Sequence, residues 1–464
     1  MSRYINQRNF YILLSPILIN VLINIIRDRS ILNSDKINFF DLISTSFLFL
    51  FLFSVGTIIK KCFNLNSKSI GIMLYIYSFL VVDILTIFFT KSLTFNSIFI
   101  FTNALWVLVL LSRLKEEYFQ LILAIFPYLL LNSFNNYFLE KLTINNNLIG
   151  DVEVYLFEHA KNIYENSFYY SMNNSIFEGY PQYISYFDSL MLRISIDLSN
   201  YQFYSSTAQI VFLLSILFFY ELKISKENRY LLISIFTLLV INNQFFQFLF
   251  TSSLMSEGFV SLFSGIVFYE ISRFKKYSNK LNYINFFLLG LLYLTKQFIS
   301  LIVVMLIIFF LINKANRKFG FIALSGIALQ EAMYSIAFKG MIKSHHISQI
   351  DIIDTIQDLF TNTNLKIGNI LIILQNLLND KPFSLLLLVL FGAYVSNVIL
   401  YKKFNPELDL SLFIILINFV FILLLYISVW RNMELESPIR YILNLFHLKL
   451  FLTFLLIDKM PNNN

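Results

Sequence analysis

Residues 69–90 read SIGIMLYIYSFLVVDILTIFFT, and this stretch decides the fold class. A helix rises 1.5 Å per residue, so these twenty-two residues extend about 33 Å, against a bilayer hydrocarbon core about 30 Å thick. Spans need roughly 20 predominantly apolar residues, and similar runs recur along the whole chain. The clearest cover 10–26, 41–59, 69–90, 96–112, 118–134, 203–222, 230–250, 255–272, 282–294, 298–313, 319–338, 383–401, 409–430 and 440–457. Composition agrees. The 464 residues are 57% hydrophobic and 14% charged, with a mean hydropathy of +0.69, well above a soluble domain of this length. The expected fold is therefore all-α, a polytopic integral membrane protein with about 12–14 transmembrane helices.

The first apolar run follows Arg3 and Arg8 but no small-residue cleavage site follows it, so it is read as retained rather than as a signal peptide. The single cysteine, Cys62, excludes an intrachain disulfide. Lys and Arg accumulate in cytoplasmic loops. With the N-terminus inside, twenty of the 35 Lys and Arg, among them Lys60, Lys61, Lys68, Lys275, Lys276 and Lys459, fall on the cytoplasmic side and fourteen outside. The net charge of +7 then reflects topology, and no nucleic-acid partner is expected. The abundance of Phe, Ile, Asn and Lys suggests an AT-rich bacterial genome. The expected location is the bacterial plasma membrane, with both termini cytoplasmic.

Two long polar segments divide the chain. Residues 1–134 form an N-terminal block of five spans, 135–202 a first large extracytoplasmic loop, 203–338 central spans, 339–382 a second extracytoplasmic loop and 383–464 the C-terminal spans. No repeat of 20–50 residues is visible. The first loop is the more informative. It reads GDVEVYLFEHAKNIYENSFYYSMNNSIFEGYPQYISYFDSLMLR over Gly150–Arg193.

Asp151 opens a helix-like run to Tyr164, where the helix dipole favours the ionised form. Glu153, Glu158, His159 and Lys161 extend a polar face, and Leu156, Phe157, Ala160, Ile163 and Tyr164 an apolar stripe suited to a helix along a membrane surface. An ordinary solvated loop helix with Asp151 as its cap is the plainer alternative. Tyr180-Pro181 then opens a half-apolar helix.

This order of elements resembles the first external loop of class C glycosyltransferases (GT-C), polytopic enzymes that use polyprenyl-phosphate-linked sugars, such as the dolichyl-phosphate-mannose protein mannosyltransferases and bacterial aminoarabinose transferases. Three further stretches resemble that family. They are Ser256-Glu257 at an outer helix start, Leu294-Thr295-Lys296-Gln297 at an outer turn, and Glu436-Ser437-Pro438-Ile439-Arg440-Tyr441 at a late outer helix start. All four fall on one face of a topology assigned from charge alone. The pattern departs from the family in that the acidic loop follows the fifth span instead of the first.

The resemblance implies sugar transfer from a lipid-linked donor to an extracytoplasmic acceptor. The acceptor hydroxyl must lose a proton as it attacks, which needs a carboxylate within hydrogen-bond reach. Asp151 is the expected base, with Glu153 or Glu257 as helper. The departing phosphate needs fixed cations, for which Lys296 and Arg440 stand ready. Tyr180 and Tyr441 would line the donor site, and a single displacement would invert the anomeric centre. A divalent metal is the one cofactor expected to join such chemistry, with Glu153 or Glu257 as ligand. His345-His346 with Asp351, Asp354 and Asp358 lacks zinc-type spacing and is not assigned a metal. Plainer roles remain beside these, since Lys296 can snorkel, Arg440 can anchor at the interface and Glu257 can cap its helix. His447 and Lys449, inside the last span, could reach a polar seam.

Two rival functions fit the same composition. A surface-polysaccharide polymerase or ligase would lean on outer-loop arginines, and Arg193 is the only one in either long segment. A transporter or lipid-linked sugar flippase would favour paired halves and midplane charges, whereas the polar residues noted above cluster at helix ends.

Overall fold

A computed structural model describes residues 18–19, 39–90, 93–113, 158–173, 183–194, 200–242, 256–274, 279–293, 295, 297–338, 375, 414–416 and 445–459. These residues are all helical apart from short turns, with no strand among them. In chain order the helices are α1 (Phe39–Phe63), α2 (Lys68–Phe89), α3 (Phe95–Arg113), α4 (Glu158–Glu165), α5 (Phe168–Asn173), α6 (Tyr183–Ile194), α7 (Asn200–Glu221), α8 (Lys226–Asn242), α9 (Ser256–Ser272), α10 (Asn279–Leu291), α11 (Gln297–Ile312), α12 (Arg317–Phe338) and α13 (Phe446–Lys459). Ten of the fourteen expected spans coincide with a described helix. Those at 10–26, 118–134, 383–401 and 409–430 lie wholly or largely outside the described residues. Helix α2 is long and apolar enough to cross a membrane.

The chain divides into two compact units. In the first, α1 and α2 form an antiparallel pair joined by a four-residue turn. Asn64 takes the left-handed conformation, φ 53°, that closes a helix end, and its N–H and that of Leu65 return to the carbonyls of Lys61 and Lys60. Ser67 then caps α2 by accepting the Ile70 N–H. Glu221, at the end of α7, accepts the backbone N–H groups of Lys68 at 2.6 Å and Ser69 at 2.9 Å and the Ser69 hydroxyl at 2.7 Å. A carboxylate there meets both the orphan donors and the positive end of the helix dipole. The pair packs closely because Gly56 faces Gly71. A methyl added at Gly71 would lie 2.5 Å from the Gly56 carbonyl oxygen.

Helix α3 returns along α2, held by polar contacts within an apolar pair. Tyr75 Oη donates to Asn103 Oδ1 at 2.9 Å, Trp106 Nε1 donates to Ser78 Oγ at 2.7 Å, and Phe79 stacks on Phe99. The loop helices α4–α6 meet the end of α2 and α3 remote from the Asn64–Ser67 turn. The Phe95 N–H, at the start of α3, donates to the Asn166 carbonyl at 3.0 Å, and the Phe95 and Phe168 rings both meet Tyr186 edge-on. Ala160, Ile163, Phe168, Leu190 and Met191 are fully buried. Burying a large apolar side chain outside lipid contributes about 1.5–3 kcal/mol, so this is a packed segment and not a solvated loop.

In the second unit, α10 and α12 cross at Gly290 and Gly326, where a methyl on Gly290 would strike the Ala323 carbonyl. Phe274, Phe286, Phe310 and Phe319 form one aromatic cluster against these helices. Helices α9 and α13 run in the same direction, since Ser261 and Gly265 meet His447 and one turn later Tyr269 meets Phe451.

Candidate functional site

Helix α4 begins at Glu158 among the described residues and carries the expected stripe. Ala160 and Ile163 are buried while Lys161 and Glu165 are exposed. Asp151, Glu153 and Tyr180 lie outside the described residues, as do Lys296, Arg440 and Tyr441. Glu257 falls in the first turn of α9, its side chain outside the description. His345, His346 and the aspartates that follow are also outside it, and no cluster of metal-ligating side chains occurs among the described residues.

The structure brings together polar groups of the loop helices that the sequence reading did not single out. Helix α6 is buried along 185–191 even at its polar positions, Ser185, Asp188 and Ser189. The Ser189 hydroxyl is satisfied by the Tyr186 carbonyl at 2.8 Å. Asp188 is 1% exposed and its Oδ2 has no partner. Burial pushes its carboxyl well above the usual range, which favours the neutral form.

Tyr186 projects to Asp83 of α2, which is 3% exposed. Burial and then the charge of Asp83 push the Tyr186 phenol well above its ordinary value. The two groups sense one another, yet neither Tyr186 Oη nor Asp83 Oδ2 makes a direct hydrogen bond. In α4, His159 Nδ1 sits 3.4 Å from the Ser171 hydroxyl, and burial lowers its pKa.

Asp83 was legible as an ionisable residue within the 69–90 run, a place where such groups usually serve a function. Asp188 was legible as the one acidic residue in the half-apolar stretch 183–194. Neither sits at a helix end, where the expected site residues lie.

The second unit contains the polar seam expected around His447. Ser261 Oγ accepts the His447 backbone N–H at 3.2 Å and stands 2.7 Å from His447 Nδ1. The hydroxyl thus bridges the backbone and the ring of His447. Lys449 is buried in the same helix. Comparison with known proteins supplies no relative, as no known family, curated protein or solved structure matches the chain.

Proposed function

We propose that the protein is a polytopic membrane glycosyltransferase that moves a sugar from a polyprenyl-phosphate-linked donor to an extracytoplasmic acceptor. One observation carries the reading. The helices of the acidic loop, α4 to α6, fold onto the ends of α2 and α3 farthest from Lys60, Lys61 and Lys68 and are buried there. A loop built in this way can form one wall of a site at the membrane surface, whereas a solvated connection could not. The membrane assignment draws support from apolar side chains left exposed on helix faces. Ile100, Phe101 and Leu108 on α3 and Ile308, Phe309 and Ile312 on α11 are between 45% and 74% exposed, while polar groups such as Asp83, Ser261 and His447 point inward. Lipid is the solvent that such surfaces match.

In this reading Asp151 takes the acceptor proton, Glu153 or Glu257 assists it or holds a divalent metal, and Lys296 and Arg440 meet the departing phosphate. Tyr180 and Tyr441 border the donor. Purified protein supplied with polyprenyl-phosphate sugars tests the reading, with product formation expected and its absence across donor sugars counting against it. A transporter or flippase is the second reading, favoured by Asp83, a carboxyl buried along α2.

A further inference from the structure

Asp83 presents an electrostatic problem that the glycosyl-transfer reading does not use. It lies about 9 Å inside the end of α2, six residues before Phe89, at 1.5 Å per residue. Its side chain is enclosed, Oδ2 has no partner, and no Lys, Arg or His among the described residues pairs with it. A carboxylate removed from water without a compensating charge is costly, and such groups hold either a proton or a cation.

One oxygen faces it, and another lies at the same height along the helix pair. Tyr186 Oη, on α6, faces the carboxyl and is itself without a partner, with the residue 2% exposed. Thr45 of α1 is 1% exposed and its Oγ1 is also unpaired. The crossing of Gly56 and Gly71 sets the register of the antiparallel pair. Thr45 lies eleven residues beyond it, about 16 Å, and Asp83 twelve residues, about 18 Å. On α3 the residues at this level, Phe95 to Ser97, carry no charge. On α1 the titratable residue nearby is Asp41, one turn from Thr45, and on α6 it is Tyr186.

We propose that Asp83, closed over by Tyr186, is a binding site for an exchangeable monovalent cation, either a proton or an alkali-metal ion. The oxygens are hard ligands, suited to a proton or to sodium and unsuited to a soft metal. Exchange would proceed from the α6 side by displacement of that short helix. The proposal does not depend on glycosyl transfer.

The test uses purified full-length protein and dicyclohexylcarbodiimide, an apolar reagent that adds to protonated carboxyls and leaves a stable N-acylurea, located by peptide mass spectrometry. The expected result is an adduct on Asp83 at acidic pH without alkali cations, lost in Asp83→Asn. If sodium suppresses the adduct, the ion is an alkali metal. If rising pH suppresses it and sodium has no effect, the ion is a proton. Absence of the adduct at every pH, or an adduct indifferent to both pH and sodium, overturns the proposal. Tyr186→Phe keeps the ring contacts and removes one oxygen, so the half-protection point should shift about threefold to tenfold in cation concentration. No shift would remove Tyr186 from the site.

Discussion

The backbone N–H of Phe95 donates to the carbonyl of Asn166 at 3.0 Å, joining the start of one apolar helix to the turn between two helices of the acidic loop. Tyr186 reinforces this joint from α6, with its ring edge-on to both Phe95 and Phe168. Phe168→Ala should loosen the joint, because truncating a fully buried Phe costs about 3–5 kcal/mol. Limited proteolysis should then cut within 158–194 faster than in the parent protein, and unchanged resistance would contradict the packing.

Glu221 neutralises the N-terminal end of α2 through three hydrogen bonds. Glu221→Gln retains much of the shape and loses the charge, for an expected loss of about 1–2 kcal/mol. Thermal unfolding in detergent should shift down. Glu221→Ala should shift it further, since it leaves the Lys68 and Ser69 donors unpaired.

The α1–α2 crossing permits no side chain at Gly71. Gly71→Ala forces a methyl toward the Gly56 carbonyl, and overpacking of this kind costs about 1–3 kcal/mol. Yield of folded protein by size-exclusion chromatography should fall, and Gly71→Leu should abolish it. An unperturbed Gly71→Leu variant would show that the pair does not pack this way.

Asp188 gives a pH prediction. Its folded-state pKa is raised by burial above the unfolded value of about 3.9. Its contribution to stability is therefore full below about pH 3.9 and is lost as pH rises through the folded value. Asp188→Asn carries no such penalty. The melting temperature of the variant relative to the parent should rise between acidic and neutral pH, and a difference that does not change with pH would contradict a carboxyl raised by burial.

The helices were legible because apolar runs of span length are a composition signal that survives any tertiary arrangement. The ranges 69–90, 96–112 and 319–338 fall within one or two residues of α2, α3 and α12. The stripe at Ala160 and Ile163 was legible for the same reason, as a period of 3.6. Asp83 and Tyr186 were not paired by sequence, since they are 103 positions apart and meet only after α6 folds onto the helix ends. The Ser261 and His447 seam, separated by 186 positions, depends likewise on which helices are neighbours. Residue types show that a polar group needs a partner, but its partner is set by tertiary packing.

The central claim is outer-face sugar transfer with Asp151 as base, and its most direct test is the transfer rate of purified protein from a polyprenyl-phosphate sugar donor, compared with Asp151→Asn. General-base catalysis contributes about 10²- to 10⁴-fold. The account predicts a measurable parental rate and a fall of that size in the variant, with unchanged thermal unfolding. A variant that transfers sugar at the parental rate would contradict it.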